Sequence, residues 1–313
     1  MTGARAWALP AVLLAVGVGW GATQPLGKIA TSGGAGPFGL IFWQLVVCVL
    51  VLGGLTLARG KGLPLTWATL RFYLIVAVLG TLVPNATFYI SVSRLPSGIM
   101  SILISTVPML AFPIALLLRT ERFSVRRLGG LALGLAGVAL IALPGTSLSG
   151  PSLPDPAMAA FLPLALVGPL FYALEGTYVA RFGTAGMDAV QAMFGASVAG
   201  LVLCLPMALA LGQFYLPFPA GRAEAALVLS SALHGLLYAS YVWLAARAGA
   251  VFAAQTSYIV TGSGVLWAML LLGERISPLV GLALVIMLCG VALVRPSGRK
   301  TVSDTRQGLE CSA

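Results

Sequence analysis

The sequence predicts an all-α integral membrane protein with ten transmembrane helices, arranged as two five-helix repeats of inverted topology. The first observation behind this prediction is composition, since 59% of the 313 residues are hydrophobic, 8% are charged and the mean hydropathy is +1.01. Soluble domains carry about 25% charged residues, and a water-soluble fold is therefore excluded. The other two observations are the distribution of basic residues and a repeat within the chain.

Apolar segments separated by proline, glycine and charged clusters have the length of a bilayer-spanning helix, which is about 20 residues. The connections between them are short and leave no room for a sizeable soluble domain. The first segment is too long for a signal peptide and lacks a small-residue cleavage site, so we expect it to be a membrane helix. The ten segments are 7–29, 37–58, 70–93, 97–118, 126–145, 157–181, 187–212, 223–246, 250–272 and 278–295.

The net charge of +10 comes from basic residues that lie mostly at the ends of these segments. If the N-terminus is cytoplasmic, only four of the 18 Lys and Arg fall on the outer side, namely Lys28, Arg94, Arg222 and Arg275. Because orientation follows this bias, we expect a multi-pass protein of the cell inner (plasma) membrane with both termini cytoplasmic. The basic charge therefore indicates topology and contact with the lipid bilayer, and no nucleic acid partner is expected.

Two parts of the chain resemble each other at an offset of 153 residues. Twelve of the 26 positions from Ala115 to Leu140 are identical to their counterparts, including the Glu-Arg-x-Ser turns that begin at Glu121 and Glu274. Because five spans per half is an odd number, the second copy enters the membrane in the opposite orientation. The predicted division is a first repeat at 1–150, a second, inverted repeat at 151–296 and a cytoplasmic polar tail at 297–313.

Several of these features resemble the EamA family of the drug/metabolite transporter (DMT) superfamily. They are Trp20 with the glycine after it, Lys28 at the far end of the first span, and the turns at Glu121 and Glu274. The resemblance extends to about Pro296. It implies a ten-helix transporter with a central cavity between the halves, commonly an exporter of amino acids or other small metabolites.

Motifs for enzymatic chemistry are mostly absent from the sequence. The stretch 22–29 is nearest to a phosphate-binding loop but lacks its first glycine and its hydroxyl residue. All three Asp lie in loops or in the tail and His234 is the only histidine, so neither an aspartyl pair nor a histidine zinc site is expected. We therefore predict no enzymatic activity, no cofactor and no metal.

Polar side chains inside apolar spans are costly to desolvate and are therefore candidates for lining a transport pathway. In the eighth span, His234, Tyr238 and Tyr241 recur on one helical face. The repeat offset places Asn85 and Phe88 on the corresponding face of the third span. The full predicted substrate-binding set is Trp20, Gln24, Asn85, Phe88, Ser105, Glu175, His234, Tyr238, Tyr241, Gln255 and Tyr258.

Each of these side chains has an alternative role, which is a hydrogen bond to a neighbouring helix that serves packing only. Glu175 lies about six residues, or roughly 9 Å, inside the cytoplasmic end of its span, and its alternative is pairing with Arg181 near the headgroups. Its repeat counterpart is Gln24. Desolvation disfavours the ionised carboxyl, so Glu175 could exchange a proton for a substrate amine. We interpret Glu121 and Glu274 as helix-start charges beside arginines at the headgroups.

Together these observations predict a secondary transporter that works by alternating access through a cavity between the repeats. We expect an uncharged or zwitterionic, partly apolar small molecule, because a phosphorylated sugar needs several basic residues inside. One other hypothesis is a membrane-embedded enzyme or lipid-handling protein that uses His234 and Glu175 as acid and base. A passive channel is a third hypothesis, but it needs polar residues from one side of the membrane to the other, whereas the polar positions cluster mid-span.

Glycine stripes that include Gly21 and Gly130 permit helix packing within a monomer or in a homodimer.

Overall fold

The computed structural model describes residues 3–118, 123–142, 156–248, 256–275 and 277–293. Within these ranges the secondary structure is helical and contains no strand. A 3-10 turn at Pro156–Phe161 leads into the sixth helix. The helices are α1 (Gly3–Thr31), α2 (Pro37–Ala58), α3 (Trp67–Arg94), α4 (Ser97–Leu117), α5 (Val125–Ala142), α6 (Leu162–Phe182), α7 (Ala189–Ala210), α8 (Arg222–Ala248), α9 (Thr256–Leu272) and α10 (Pro278–Leu293).

Six helices in the described part of the chain are long and apolar enough to cross a bilayer, namely α1, α2, α3, α4, α6 and α7. Shorter apolar stretches lie in α5, α9 and α10, at Leu128–Leu140, Ile259–Leu272 and Pro278–Gly290. The prediction of an all-helical, multi-pass membrane protein is confirmed. The finer prediction of ten complete crossings stays a prediction.

Two of the long helices change pitch near their middle, and a proline explains each change. In α3 the residues Ala77–Leu82 form a π turn, and Pro84 follows it. In α4 a 3-10 turn at Ile104–Thr106 comes just before Pro108. A proline has no N–H for the carbonyl four residues earlier and its ring collides with that carbonyl, so the backbone adjusts over the intervening turn.

Helix packing relates α1–α5 to α6–α10. The first helix packs against α8 and α9, while α6 packs against α3 and α4. Similarly, α2 contacts α7 and α8, whereas α7 contacts α2 and α3; α5 packs on α10 and α4 on α9. Each helix of the first half has a counterpart five places further along the chain, so that α1 corresponds to α6 and α5 to α10. When both helices of a contacting pair are replaced by their counterparts, the result is another pair of this set or the same pair. This is the packing expected of two structurally related halves.

Glycines allow the closest helix contacts. A Cβ on Gly21 of α1 would lie 2.7 Å from the backbone nitrogen of Gly264 in α9. A Cβ on Gly290 of α10 would lie 2.7 Å from the carbonyl oxygen of Gly130 in α5. The predicted glycine stripes therefore pack helices against each other within one chain.

At the end of the bundle where α2 finishes, Asp188 joins the α2–α3 loop to the start of α7. One carboxylate oxygen accepts hydrogen bonds from the N–H groups of Val190 at 3.0 Å and Gln191 at 3.1 Å, which caps α7. The carboxylate also pairs with Arg59 at 2.9 Å and Lys61 at 2.5 Å. Burial alone would raise the pKa of Asp188, but hydrogen bonds from Lys61, Gln191 and Arg59 lower it to about 2.

Replacing Asp188 by Ala should cost about 1–2 kcal/mol of stability, because α7 loses its cap. Asp188→Asn keeps a cap oxygen and loses only the charge. Since folding lowers the pKa, the charge stabilises the protein above the unfolded pKa of about 4, and this stabilisation is lost as the pH falls towards 2. In thermal unfolding of the detergent-purified protein, the Tm difference between wild type and Asp188→Asn should be present at about pH 6 and shrink below about pH 4. A difference that persists undiminished at about pH 2 would contradict this account.

Candidate functional site

A cavity of about 420 Å³ lies inside the bundle, between helices of both halves. All helices except α5 and α10 contribute described residues to its wall. The volume falls in the range of about 300–1,000 Å³ that is usual for small-molecule sites. Among the described lining residues, Glu175 is the one carboxylate, and none is lysine or arginine. The described wall therefore presents a single carboxyl group to a bound molecule.

One wall of the cavity is aromatic and joins α1 to α8. The ring centroid of Trp20 lies 5.4 Å from that of Tyr241, 6.2 Å from that of Tyr238 and 6.5 Å from that of His234. These separations are typical of interacting aromatic pairs. The polar face of α8 that helical periodicity predicts thus forms one surface with Trp20, and this surface can hold an apolar or cationic body.

The carboxyl group of Glu175 lies in the cavity wall, away from the end of α6. The residue is 6% exposed, and its Oε1 accepts a hydrogen bond from the hydroxyl of Tyr238 at 3.3 Å. Arg181, the alternative partner, is exposed, and no ion pair among the described residues joins it to Glu175. Snorkelling to the headgroups is therefore not what the structure shows.

The π turn of α3 provides the space for this carboxyl group. A Cβ on Gly80 would lie 2.5 Å from the carboxyl carbon of Glu175 and 2.7 Å from each of its oxygens. No other residue type fits at position 80 while the carboxyl group occupies this place. π turns in helices are frequent at functional sites, and this one borders the cavity.

Some polar side chains of the cavity wall carry atoms without a hydrogen-bond partner. In the described part of the chain four buried side-chain atoms lack a hydrogen bond, namely Gln24 Oε1, Asn85 Nδ2, Ser91 Oγ and Thr256 Oγ1. Gln24, Asn85 and Thr256 line the cavity. An unsatisfied buried polar group costs about 1–3 kcal/mol, which a polar molecule in the cavity would recover. The site thus offers both donors and acceptors in addition to the carboxyl group.

Eight of the eleven predicted site residues line this cavity, Ser105 does not, and the structure does not describe the side chains of the other two. Ser105 is buried and its hydroxyl donates to the carbonyl of Ile102 at 2.7 Å, so the prediction that it faces the cavity is wrong. The wall is lined from α4 by Met100, Ile104 and Val107, which recur at helical spacing on the neighbouring face. Gln255 lies outside the described residues, and so does the side chain of Tyr258. The eight are Trp20, Gln24, Asn85, Phe88, Glu175, His234, Tyr238 and Tyr241.

Several lining residues were not identified from the sequence. Gly80 could not be singled out, because the chain has 38 glycines and the role of this one depends on a contact with α6. Tyr172 precedes Glu175 by three residues, so helical spacing was a usable signal. Gln44 and Tyr89 also belong to the wall, where the Tyr89 hydroxyl donates to Gln44 Oε1 at 2.7 Å.

A second pocket, of about 160 Å³, lies between α4, α5 and α6. Thr106 is its one polar side chain among the described residues, and the rest of its lining is apolar. It therefore offers almost nothing to orient a polar solute, and the larger cavity is the candidate site.

An apolar helical bundle around a cavity that both halves line, with a few polar side chains in its wall, is typical of a membrane transporter. The sequence profile of the EamA-like transporter family matches residues 7–143 and again residues 160–295, and the chain belongs to this family. One solved crystal structure has the same fold, with a TM-score of 0.62 and 17% identity over 91% of this chain and 96% of the other. No curated protein matches the chain.

Replacing Gly80 by Ala should abolish transport activity while the protein still accumulates in the membrane. The added methyl group would lie within 2.7 Å of the Glu175 carboxyl atoms, so the carboxyl group must leave its present position in the wall. The matched control is Gly54→Ala in α2, where a Cβ would meet no atom within 4 Å. Transport in cells by the two variants, at equal membrane abundance, tests the prediction, and equal activity would show that the carboxyl group needs no such space.

Proposed function

We propose that this protein is a secondary transporter that exports a small amine-bearing metabolite, such as an amino acid, by alternating access. The observation that carries the proposal is the cavity in which Glu175 is the one charged side chain among the described lining residues. The solute would bind between the two halves, which would move relative to each other and expose the cavity to one side of the membrane at a time.

Support for alternating access comes from the relation between the halves. The family profile matches twice, and the helix contacts map onto one another when each helix is exchanged for the one five places away. With five spans in each half, the repeats at 1–150 and 151–296 would have opposite orientations in the membrane. A wall built from both repeats is what a site accessible from alternate sides requires.

Support for an amine comes from the chemistry of the wall. A carboxylate attracts an ammonium group strongly where water is excluded, and the rings of Trp20 and Tyr241 can stabilise the same cation through their π faces. The unpartnered amide of Asn85 can donate to a solute carboxylate. A phosphorylated sugar finds no lysine or arginine among the described lining residues. An amino acid or a related amine fits best.

The hypothesis of a membrane-embedded enzyme receives no support from the geometry. It requires Glu175 and His234 to act on each other or on a shared atom. The hydrogen bonds of the described residues include none between them, and Glu175 is bound by Tyr238 instead. Membership of a transporter family also favours transport.

Glu175→Gln should abolish proton-driven accumulation of the solute in proteoliposomes while downhill exchange continues. The amide keeps the shape of the carboxyl group but cannot take up a proton in exchange for the solute amine. The matched control is Glu224→Gln, because Glu224 caps the start of its own helix and does not line the cavity.

A growth-rescue and efflux panel of amino acids and toxic analogues identifies the transported solute for this assay. If accumulation is unchanged in Glu175→Gln, proton coupling must reside elsewhere, and His234 becomes the titratable group to test.

The proposed orientation is tested by cysteine labelling in intact cells. In a variant without the four native cysteines, Ser32→Cys and Ala220→Cys should react with an impermeant thiol reagent. Ser32 follows the first span and Ala220 precedes the eighth, and both lie on the predicted outer side. A cysteine at Ser303 should not react. Labelling at Ser303 without labelling at the other two positions would reverse the orientation.

A further inference from the structure

Glu274 acts at the start of a helix other than its own. Its Oε1 accepts hydrogen bonds from the N–H of Ser97 at 2.7 Å and from the hydroxyl of Ser97 at 3.0 Å, and its Oε2 accepts from the N–H of Gly98 at 2.9 Å. Pro96, the residue before α4, has no side-chain acceptor for these groups. The carboxylate is therefore the cap of α4, and the interpretation of Glu274 as a charge at the start of its own helix is wrong.

The turn between α9 and α10 aims this side chain at α4. Gly273 adopts φ +64° directly after α9, and its N–H donates to the carbonyl of Met269 at 3.1 Å. The N–H of Glu274 donates to the carbonyl of Ala268 at 3.3 Å. A residue other than glycine is strained at this φ, so the direction of the Glu274 side chain depends on Gly273.

Lys28 adds a third element to the same cluster. Its ammonium group donates to the carbonyl of Leu95 in the α3–α4 turn at 2.5 Å and lies 4.0 Å from Glu274 Oε1. The side chains of Lys28 and Glu274 are 29% and 13% exposed, so their attraction is less screened than that of a surface pair. We call the cluster of Lys28, Leu95, Ser97, Gly98 and Glu274 the latch.

The latch lies between the cavity and one end of the bundle. Gln24 and Met100 line the cavity, and the latch residues Lys28 and Ser97 are about one helical turn further towards that end on the same two helices. Glu274 belongs to the second match of the family profile, at 160–295, and the other latch residues to the first, at 7–143. Separation of the two halves at this end must therefore break it.

We propose that the latch holds this end of the cavity closed, and that Glu274 releases the start of α4 whenever this end opens. The inference rests on the proposed function in requiring alternate opening, but it concerns different residues. It assigns Lys28 and Glu274 to control of access, whereas Glu175 and the aromatic wall bind the solute. Loss of the latch should shift the protein towards the state that is open at this end.

The test measures opening by the labelling of a cavity cysteine. A cysteine-free variant carries Met100→Cys, is reconstituted in liposomes and reacts with an impermeant thiol reagent; a parallel Ser32→Cys sample identifies the face at the latch end. Glu274→Gln should raise the labelling rate of Met100→Cys from that face by roughly tenfold or more, since it removes charge-assisted bonds to a helix start. Glu224→Gln should leave the rate unchanged.

A second reporter separates release of the latch from general loosening of the protein. Met193→Cys lines the cavity from α7, near the opposite end, and its labelling from the opposite face should fall when the latch is lost. Lys28→Gln leaves the cap of α4 intact and should shift both rates in the same directions by less, which keeps the proposal testable if Glu274→Gln folds poorly.

Unchanged rates in both latch variants, or faster labelling from both faces, would overturn the proposal. The labelling needs no transported solute, so it reads the latch even if the panel finds no transport. If labelling of Met100→Cys rises and labelling of Met193→Cys falls but no transport is found, the latch is supported and the proposed function is contradicted.

Discussion

The burial of one carboxyl group in the middle of an apolar bundle is the constraint on which the rest of the structure depends. A carboxyl group in a membrane interior is expensive, because no bulk water is present to solvate it. Here the cost is limited by the hydroxyl of Tyr238 and by the room that Gly80 leaves. Gly80 lies in the π turn of α3, just before Pro84. The cavity is therefore built around Glu175, and a solute amine would complete its solvation.

The same constraint acts at the helix ends, where N–H groups need acceptors. Two of these acceptors come from the other half of the chain, and a third caps a helix of its own half while it binds the other half. Gln213 accepts from the N–H of Phe38 at the start of α2 at 2.8 Å, Glu274 caps α4, and Asp188 caps α7 while holding Arg59 of the first half. These polar bonds between the halves lie at the ends of the bundle. Relative movement of the halves would make and break them there, while glycine contacts keep the interior closely packed.

Sequence reasoning succeeded where the signal was local. The helix positions follow from runs of apolar residues, and the face of α8 with His234, Tyr238 and Tyr241 follows from helical periodicity. It failed at Ser105 because helical spacing identifies the residues that share a face of α4 but not which of two neighbouring faces points into the cavity, and the face with Ile104 does so. The role of Glu274 was inaccessible, because its partner Ser97 lies 177 residues away in the chain. The repeat related the two Glu-Arg-x-Ser turns correctly as similar sequences but carried no information about what Glu274 contacts.

The central claim is that the cavity beside Glu175 binds an amine, and Trp20 in its wall provides a direct probe. In a variant that keeps Trp20 and replaces the other five of the six tryptophans by phenylalanine, solute binding should change the fluorescence saturably. We expect this change with 2-phenylethylamine and with phenylalanine, no change with 3-phenylpropionate, and loss of the change in Glu175→Gln. An equal response to the carboxylate, or a response that survives Glu175→Gln, would contradict the account.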